Sequence, residues 1–268
     1  TTEIYTLSLH DALPILGSGP ERDQLITAGQ ADGMINEVLS TLFYNQDTTQ
    51  VQIVRYARAA TPDSALFRIL ASAKSGITSS DGLKGIEIGV SDGTIIAYLT
   101  DRLLQEEGLQ PADIKTVSIP KIDLRMSLLG SGEIQAAMLP DPLSSLAIQQ
   151  GAAVVLDDTR HPELSFSTIA FRKTVIDQYP EAIRGFLAAI EDATRNINQD
   201  PGKYTSLLKD RKLVPDSLLG QYQLPKFVTA GVPTEAQFSD VLTWAKGKGL
   251  LNGDVSYANS VNGSFLPQ

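Results

Sequence analysis

From Leu16 onward, short apolar runs alternate with amphipathic stretches. Pro20 and Glu21 open a predicted helix over 20–27, and Gly29 stops it. A short strand over 31–35 and a helix over 38–44 follow. Period-2 or continuous apolar runs predict strands over 51–57, 67–72 and 86–90. The last of these comes directly after the turn Asp81-Gly82-Leu83-Lys84-Gly85. Helical spacing then predicts 94–105, with Thr94 near its start, and 124–129. Further strands are expected over 117–119, 134–139, 153–156 and 165–171, with a helix over 142–149. From Thr174 onward the pattern is mostly helical. Strand–helix alternation at this spacing argues for an α/β fold with parallel sheets.

A phrase recurs at an offset of 103 residues. Arg22, Leu25, Ile26, Gly29 and Gln30 correspond to Arg125, Leu128, Leu129, Gly132 and Glu133. Each copy reads as a helix, a glycine stop, one polar residue and a short strand. The first strand runs into Asn36-Glu37 and the second into Pro140-Asp141-Pro142. Helix–glycine–strand is common in α/β proteins, so chance recurrence is one reading. Two lobes of the same architecture is the sharper one. In open parallel sheets ligands sit beyond the carboxyl ends of strands. Two facing lobes would aim both sets of strand ends into one cleft.

Composition narrows the function classes. The 268 residues carry a net charge of −9, a poor balance for binding nucleic acid. There is no cysteine, hence no disulfide, thiolate metal site or cysteine nucleophile. No apolar run reaches the roughly 18 residues of a membrane span. A Gly-x-Ser-x-Gly elbow is missing, and Gly247-Lys248-Gly249 lacks the spacing of a phosphate-binding loop. His161 sits in the polar stretch Asp157-Asp158-Thr159-Arg160-His161-Pro162, read as a solvated turn with no metal. No catalytic residue and no cofactor is expected. Residues 1–15, TTEIYTLSLHDALPI, resemble one translated frame of a short-read sequencing adaptor. They are expected to be an assembly artefact fused to a gene fragment, although EIYTLSL also alternates as a strand would.

The phrases LITAGQADGMIN, DGLKGIEIGVSDGTIIAYL, SLLGSGEIQAAMLPDP and IQQGAAVVLDD together resemble substrate-binding proteins of ABC importers. The branch is the nitrate, sulfonate, taurine and thiamine-pyrimidine-precursor group, and the resemblance runs from about Leu16 to the C-terminus. It implies a bilobed α/β fold of the type II periplasmic-binding-protein kind, with two parallel-sheet lobes joined by crossing strands near 67–74 and 165–171. Lobe one would comprise 16–74 and 168–268, lobe two 75–167. Helices around Trp244 would pack back on lobe one. The family's export signal and first strand and helix would precede Leu16. The resemblance further implies a monomer in the periplasm or otherwise outside the cytoplasm. It would capture a small nitrogen- or sulfur-containing molecule by hinge closure and deliver it to the importer's membrane subunits. Same-fold alternatives are a menaquinone-pathway dehydratase-like or pyrimidine-biosynthesis-like enzyme, and a LysR-type effector-binding domain.

Each candidate ligand residue has a structural reading beside the functional one. Ser91, Asp92, Gly93 and Thr94 join a strand to a helix start, where free backbone N–H groups favour an anion. Thr94 or Asp92 would equally serve as the helix cap. Asp92 itself counts against a sulfonate or nitrate and favours a cationic or amine-bearing ligand. Asn36 and Glu37 close the first strand as ligand contacts or as a helix N-terminus. Asp141 does so in the second copy, or holds a rigid turn. Tyr56 has the ring to stack on a flat ligand, and Arg55 and Arg58 are able to pair an acid or lie on the surface. Ser165, Phe166 and Ser167 begin the return strand and are candidates to line the cleft, as is Tyr222.

Overall fold

The computed structural model describes residues 19–267. Residues 1–18, including the adaptor-like segment, lie outside the described residues. The chain runs α1 (Gly19–Thr27), β1 (Gly33–Asn36), α2 (Val38–Tyr44), β2 (Val51–Ala59), β3 (Phe67–Ala71), β4 (Glu87–Val90) and α3 (Ile95–Glu106). It continues through β5 (Lys115–Ser118), α4 (Ile122–Ser131), β6 (Ala136–Pro140), α5 (Leu143–Gln149), β7 (Ala153–Asp157) and β8 (Phe166–Arg172). The remainder holds α6 (Lys173–Gln178), α7 (Pro180–Gln199), α8 (Thr205–Asp210), α9 (Glu235–Gly247) and α10 (Tyr257–Ser260). The helical expectation after Thr174 fails over 211–233, which carries only the short 3-10 turn Asp216–Leu218. Three prolines, Pro215, Pro225 and Pro233, interrupt that stretch and remove backbone donors.

The strands form two separate sheets, in the orders β1-β8-β2 and β5-β4-β6-β3-β7. The second sheet contains the expected parallel pairs, β4 with β5 and β4 with β6. Its β3 is antiparallel to both neighbours. The first sheet departs from the expectation, since both of its pairs among the described residues are antiparallel. The reason is β8, which returns to the first sheet and inserts between β1 and β2. The crossing segments also fall elsewhere than expected. β3 belongs wholly to the second sheet and β8 to the first, so the links between sheets are residues 60–66 and 158–165.

This topology fixes which ends meet. In the second sheet β4, β5, β6 and β7 run one way, and both links attach at their carboxyl tips. In the first sheet the links attach at the end of β2 and the start of β8, the edge where β1 also ends. The carboxyl tips of β1, β4 and β6 therefore all lie at the linked edges.

The sequence repeat is a structural repeat. Gly29 and Gly132 both adopt positive φ, +69° and +81°, a conformation that penalises any side chain. The Ala31 N–H donates to the Leu25 carbonyl at 3.3 Å, and the Ile134 N–H to the Leu128 carbonyl at 3.3 Å. Both donors and both acceptors differ by the same 103-residue offset.

One apolar cluster joins the halves, from Met34, Leu39, Leu42 and Ile53 through Ile69, Ile88 and Leu99 to Phe238, Val241 and Trp244. The Trp244 stretch does not pack on the first half alone. Its ring meets Tyr98 of α3 edge-on at 5.6 Å, and its Nε1 donates to Asp101 at 2.8 Å. Tyr98 donates to Asp240 at 2.6 Å, and Arg102 pairs with the same carboxylate. Helix α9 is thus a wedge that touches α2 on one side and α3 on the other.

Candidate functional site

At the edge of the first sheet, Asn36, Thr168 and Tyr56 occupy one cross-strand row. Asn36 is buried, donating to Thr41 Oγ1 at 2.9 Å and accepting from Thr168 Oγ1 at 2.8 Å. Its polar groups hold the β1 tip to α2 and β8. Glu37 occupies the N-cap position of α2 without capping it. Its carboxylate pairs instead with Arg22 Nη1 at 3.2 Å. Burial raises the Glu37 carboxyl above the ordinary carboxylate range, and Arg22 opposes the rise. Tyr56 packs edge-on against Phe166 at 5.3 Å and donates to Gln237 Oε1 at 2.8 Å. Of the first-half candidates, the structure brings Tyr56 and Phe166 into direct contact.

At the edge of the second sheet, Ser91 directly follows β4 and is buried. Thr94 caps α3, accepting from the Ile96 N–H at 3.2 Å while donating to the Ser91 carbonyl at 2.7 Å. Gly93 makes the turn with φ of +66°, and Asp92 is exposed. Asp141 follows the β6 tip in a cis peptide with Pro142. Its carboxylate accepts from Arg68 Nη1 at 3.1 Å, Ser145 Oγ at 2.6 Å and the Tyr222 hydroxyl. The Tyr222 hydroxyl is held well above the usual phenol range, first by burial and then by Asp141. Arg58 of β2 lies beside Tyr222 and has a buried Nη2 with no hydrogen-bond partner. The run Asp141–Tyr222–Arg58 ties the tip of β6 to the first sheet.

Two arginine readings separate here. Arg55 is spent internally, its Nη2 lying 2.7 Å from Glu191 Oε2 with both side chains buried. Its partner lies 136 positions away, a pairing that sequence gives no means of finding.

The links carry a group that sequence reading dismissed. Asp158, expected in a solvated turn, is fully buried. Its carboxylate accepts from the Leu66 N–H at 3.0 Å at the end of one link, from the Phe67 N–H at 2.9 Å at the start of β3, and from the Ser165 hydroxyl at the end of the other link. The Ser165 carbonyl in turn accepts from the Ala60 N–H at 2.9 Å. Ser165 is therefore a linker residue bound to Asp158. Its dyad with Phe166 nonetheless lies at the first-sheet edge with Tyr56. His161 meets only Glu163, at 3.7 Å, among charged partners, and no group of metal-binding side chains occurs among the described residues. No helix of the described residues is long and apolar enough to cross a membrane.

Known structures share this architecture. The alkanesulfonate-binding protein SsuA from Xanthomonas axonopodis pv. citri, bound to MOPS, superposes with a TM-score of 0.75 at 18% identity, covering 92% of this chain and 86% of its own. The periplasmic nitrate-binding protein NrtA from Synechocystis PCC 6803 gives 0.72 at 16%, covering 93% and 77%. The desulfurization enzyme DSZB gives 0.67 at 16%, covering 87% and 83%. These likenesses establish the periplasmic-binding-protein-like fold. No curated protein sequence matches the chain. The model of the NMT1-like family matches residues 30–208, so the chain belongs to the NMT1-like family.

Proposed function

We propose that the chain is the solute-binding component of an ABC importer. It captures a small nitrogen- or sulfur-containing organic molecule between two lobes and closes on it about a hinge. One lobe is built on the three-stranded sheet and the other on the five-stranded sheet, with residues 60–66 and 158–165 as the hinge. The observation that carries this reading is the placement of the candidate residues at the two linked edges. Asn36, Glu37, Tyr56 and Phe166 supply one wall, and Ser165 stands behind them in the hinge. Ser91, Asp92, Gly93, Thr94 and Asp141 supply the other. Sulfonate- and nitrate-binding proteins among the structural relatives support the same reading. It requires no cofactor and no catalytic group. In this reading the protein works as a monomer outside the cytoplasm and presents its closed form to the membrane subunits.

A thermal-shift screen across sulfonates, taurine, nitrate, amines and pyrimidines tests it. A ligand at a hundredfold excess over Kd stabilises the folded state by about 2.7 kcal/mol, which raises Tm by several degrees. A flat response across the whole panel would count against solute capture. The desulfurization enzyme shares the fold, so each stabilising compound is also followed for chemical change. Turnover would move the reading to an enzyme.

A further inference from the structure

Between α7 and α9 the chain makes an excursion whose two ends are tied together on the first half. Asn198, in the last turn of α7, brackets Phe227, donating from Nδ2 to its carbonyl at 2.8 Å and accepting its N–H at 2.8 Å. The residues after this tie are fixed to β2. The Val228 carbonyl accepts from Arg55 Nη2 at 3.1 Å, and the Gly231 carbonyl accepts from the Tyr56 N–H at 2.8 Å. Helix α7 is itself buried against the first sheet through Ile183 and Leu187, which cluster with Val54 and Ile169.

Residues 205–224 therefore form an arm rooted on the three-stranded sheet. The arm has a small core of its own, Leu208, Val214 and Leu218, and Leu146 of α5, in the second half, packs into it. On the same helix face as Leu146, Gln149 Nε2 donates to the Ser217 carbonyl at 3.1 Å. Further along the arm the Tyr222 hydroxyl donates to the Asp141 carboxylate, while Arg58 of β2 faces the same hydroxyl from the first half. The arm thus reaches from one half to the other without belonging to either covalent link, 60–66 or 158–165.

Its two ends are held unequally. The root lies over the buried Arg55–Glu191 pair and is tied by backbone hydrogen bonds. At the tip, Gln149 and Ser217 are exposed and able to exchange each other for water. Asp141 has two partners from its own half, Arg68 and Ser145, so losing the tyrosine does not leave the carboxylate alone. Separation of the halves is therefore resisted, and released, at the tip.

We infer that residues 205–224 are a clasp: rooted on the first half, they grip α5 and the β6 tip of the second, and the Tyr222–Asp141 bond is the catch that limits how far the halves stand apart before any ligand arrives. This goes beyond the solute-binding reading, and its test uses no ligand, so the two fail separately.

The chain contains no cysteine, so the introduced pair Ser127→Cys on α4 and Ala189→Cys on α7 takes spin labels at two exposed sites, one on each half. Double electron–electron resonance on the whole ligand-free protein then reads the distribution of separations. Tyr222→Phe keeps the ring and removes the charge-assisted bond. It is expected to raise the ratio of the longer separation to the shorter about tenfold. X-ray scattering of the unlabelled variant is expected to show a larger radius of gyration. Gln149→Ala, at an exposed contact, keeps the test open if Tyr222→Phe does not fold, and is expected to shift the distribution the same way by less. Amide hydrogen exchange separates a catch from a merely structural tyrosine. Faster exchange over 205–224 with unchanged separation would mean that only the arm's own packing was lost, and overturns the inference. A distribution unaltered in the folded variants overturns it as well.

Discussion

Asp158→Ala is expected to destabilise the protein by about 3–5 kcal/mol, because it strips acceptors from the buried Leu66 N–H, the part-buried Phe67 N–H and the buried Ser165 hydroxyl. Besides Asp158, the Ala60 N–H to Ser165 carbonyl bond also joins the two links, but the Asp158 carboxylate is the one side chain among the described residues that reaches both Leu66 and Ser165. Urea denaturation gives the difference as a shift in midpoint at unchanged slope. Asp158→Asn retains one acceptor oxygen and is expected to lose less. The pair of variants also carries a pH signature. Burial holds the Asp158 carboxyl above the ordinary carboxylate range, against the opposing hydrogen bonds from Ser165, Phe67 and Leu66. The native state thus binds that proton more readily than the unfolded chain does. Wild-type stability relative to Asp158→Asn therefore rises as pH falls from neutral toward about 4, and declines as pH climbs back. A midpoint for Asp158→Ala within experimental error of wild type would mean the links are not pinned there.

Glu191→Ala is the second large effect, expected at about 3–5 kcal/mol. The loss leaves Arg55, 1% exposed, as a buried cation facing only the Tyr56 and Val228 carbonyls and the Thr194 hydroxyl. The pair itself is worth far less than the cost of breaking it. Replacing both partners, as Arg55→Met with Glu191→Leu, is expected to recover most of the stability. Guanidinium chloride titrations of the two single variants and the double variant separate these cases. Equal losses in the single and double variants would show that packing of α7 on β2, and not the orphaned charge, sets the cost.

Local pattern carried much of the fold. The helix over 38–44 was legible to the residue, because Val38, Leu39 and Leu42 share its buried face. The glycine stops at 29 and 132 were legible because each ends an apolar stretch with a left-handed position. Sheet direction was not. The 2-residue period of β8 is the same whether its neighbours run with it or against it, so the antiparallel return into the first sheet had no local signature. The placement of the candidate residues was legible where position follows backbone: Thr94 caps α3, and Asp141 follows the β6 tip. It was illegible where long-range burial reverses a residue's ordinary meaning. Buried Arg125 sits in a helix of low amphipathic contrast and Asp158 among six polar-turn residues, and neither position reads as interior. Arg55 reads from sequence as an acid-pairing or surface group, because its buried partner Glu191 is too distant in sequence to suggest itself.

The wedge position of α9 gives the molecule a built-in optical reporter. Trp244 is the single tryptophan of the chain, and its indole is held between the Tyr98 ring and the Asp101 carboxylate, on a helix that also abuts α2. Any relative rotation of the two halves must either carry this indole with α3 or slide it past the tyrosine. Emission from one unlabelled fluorophore therefore follows the motion directly, with no competing indole to subtract.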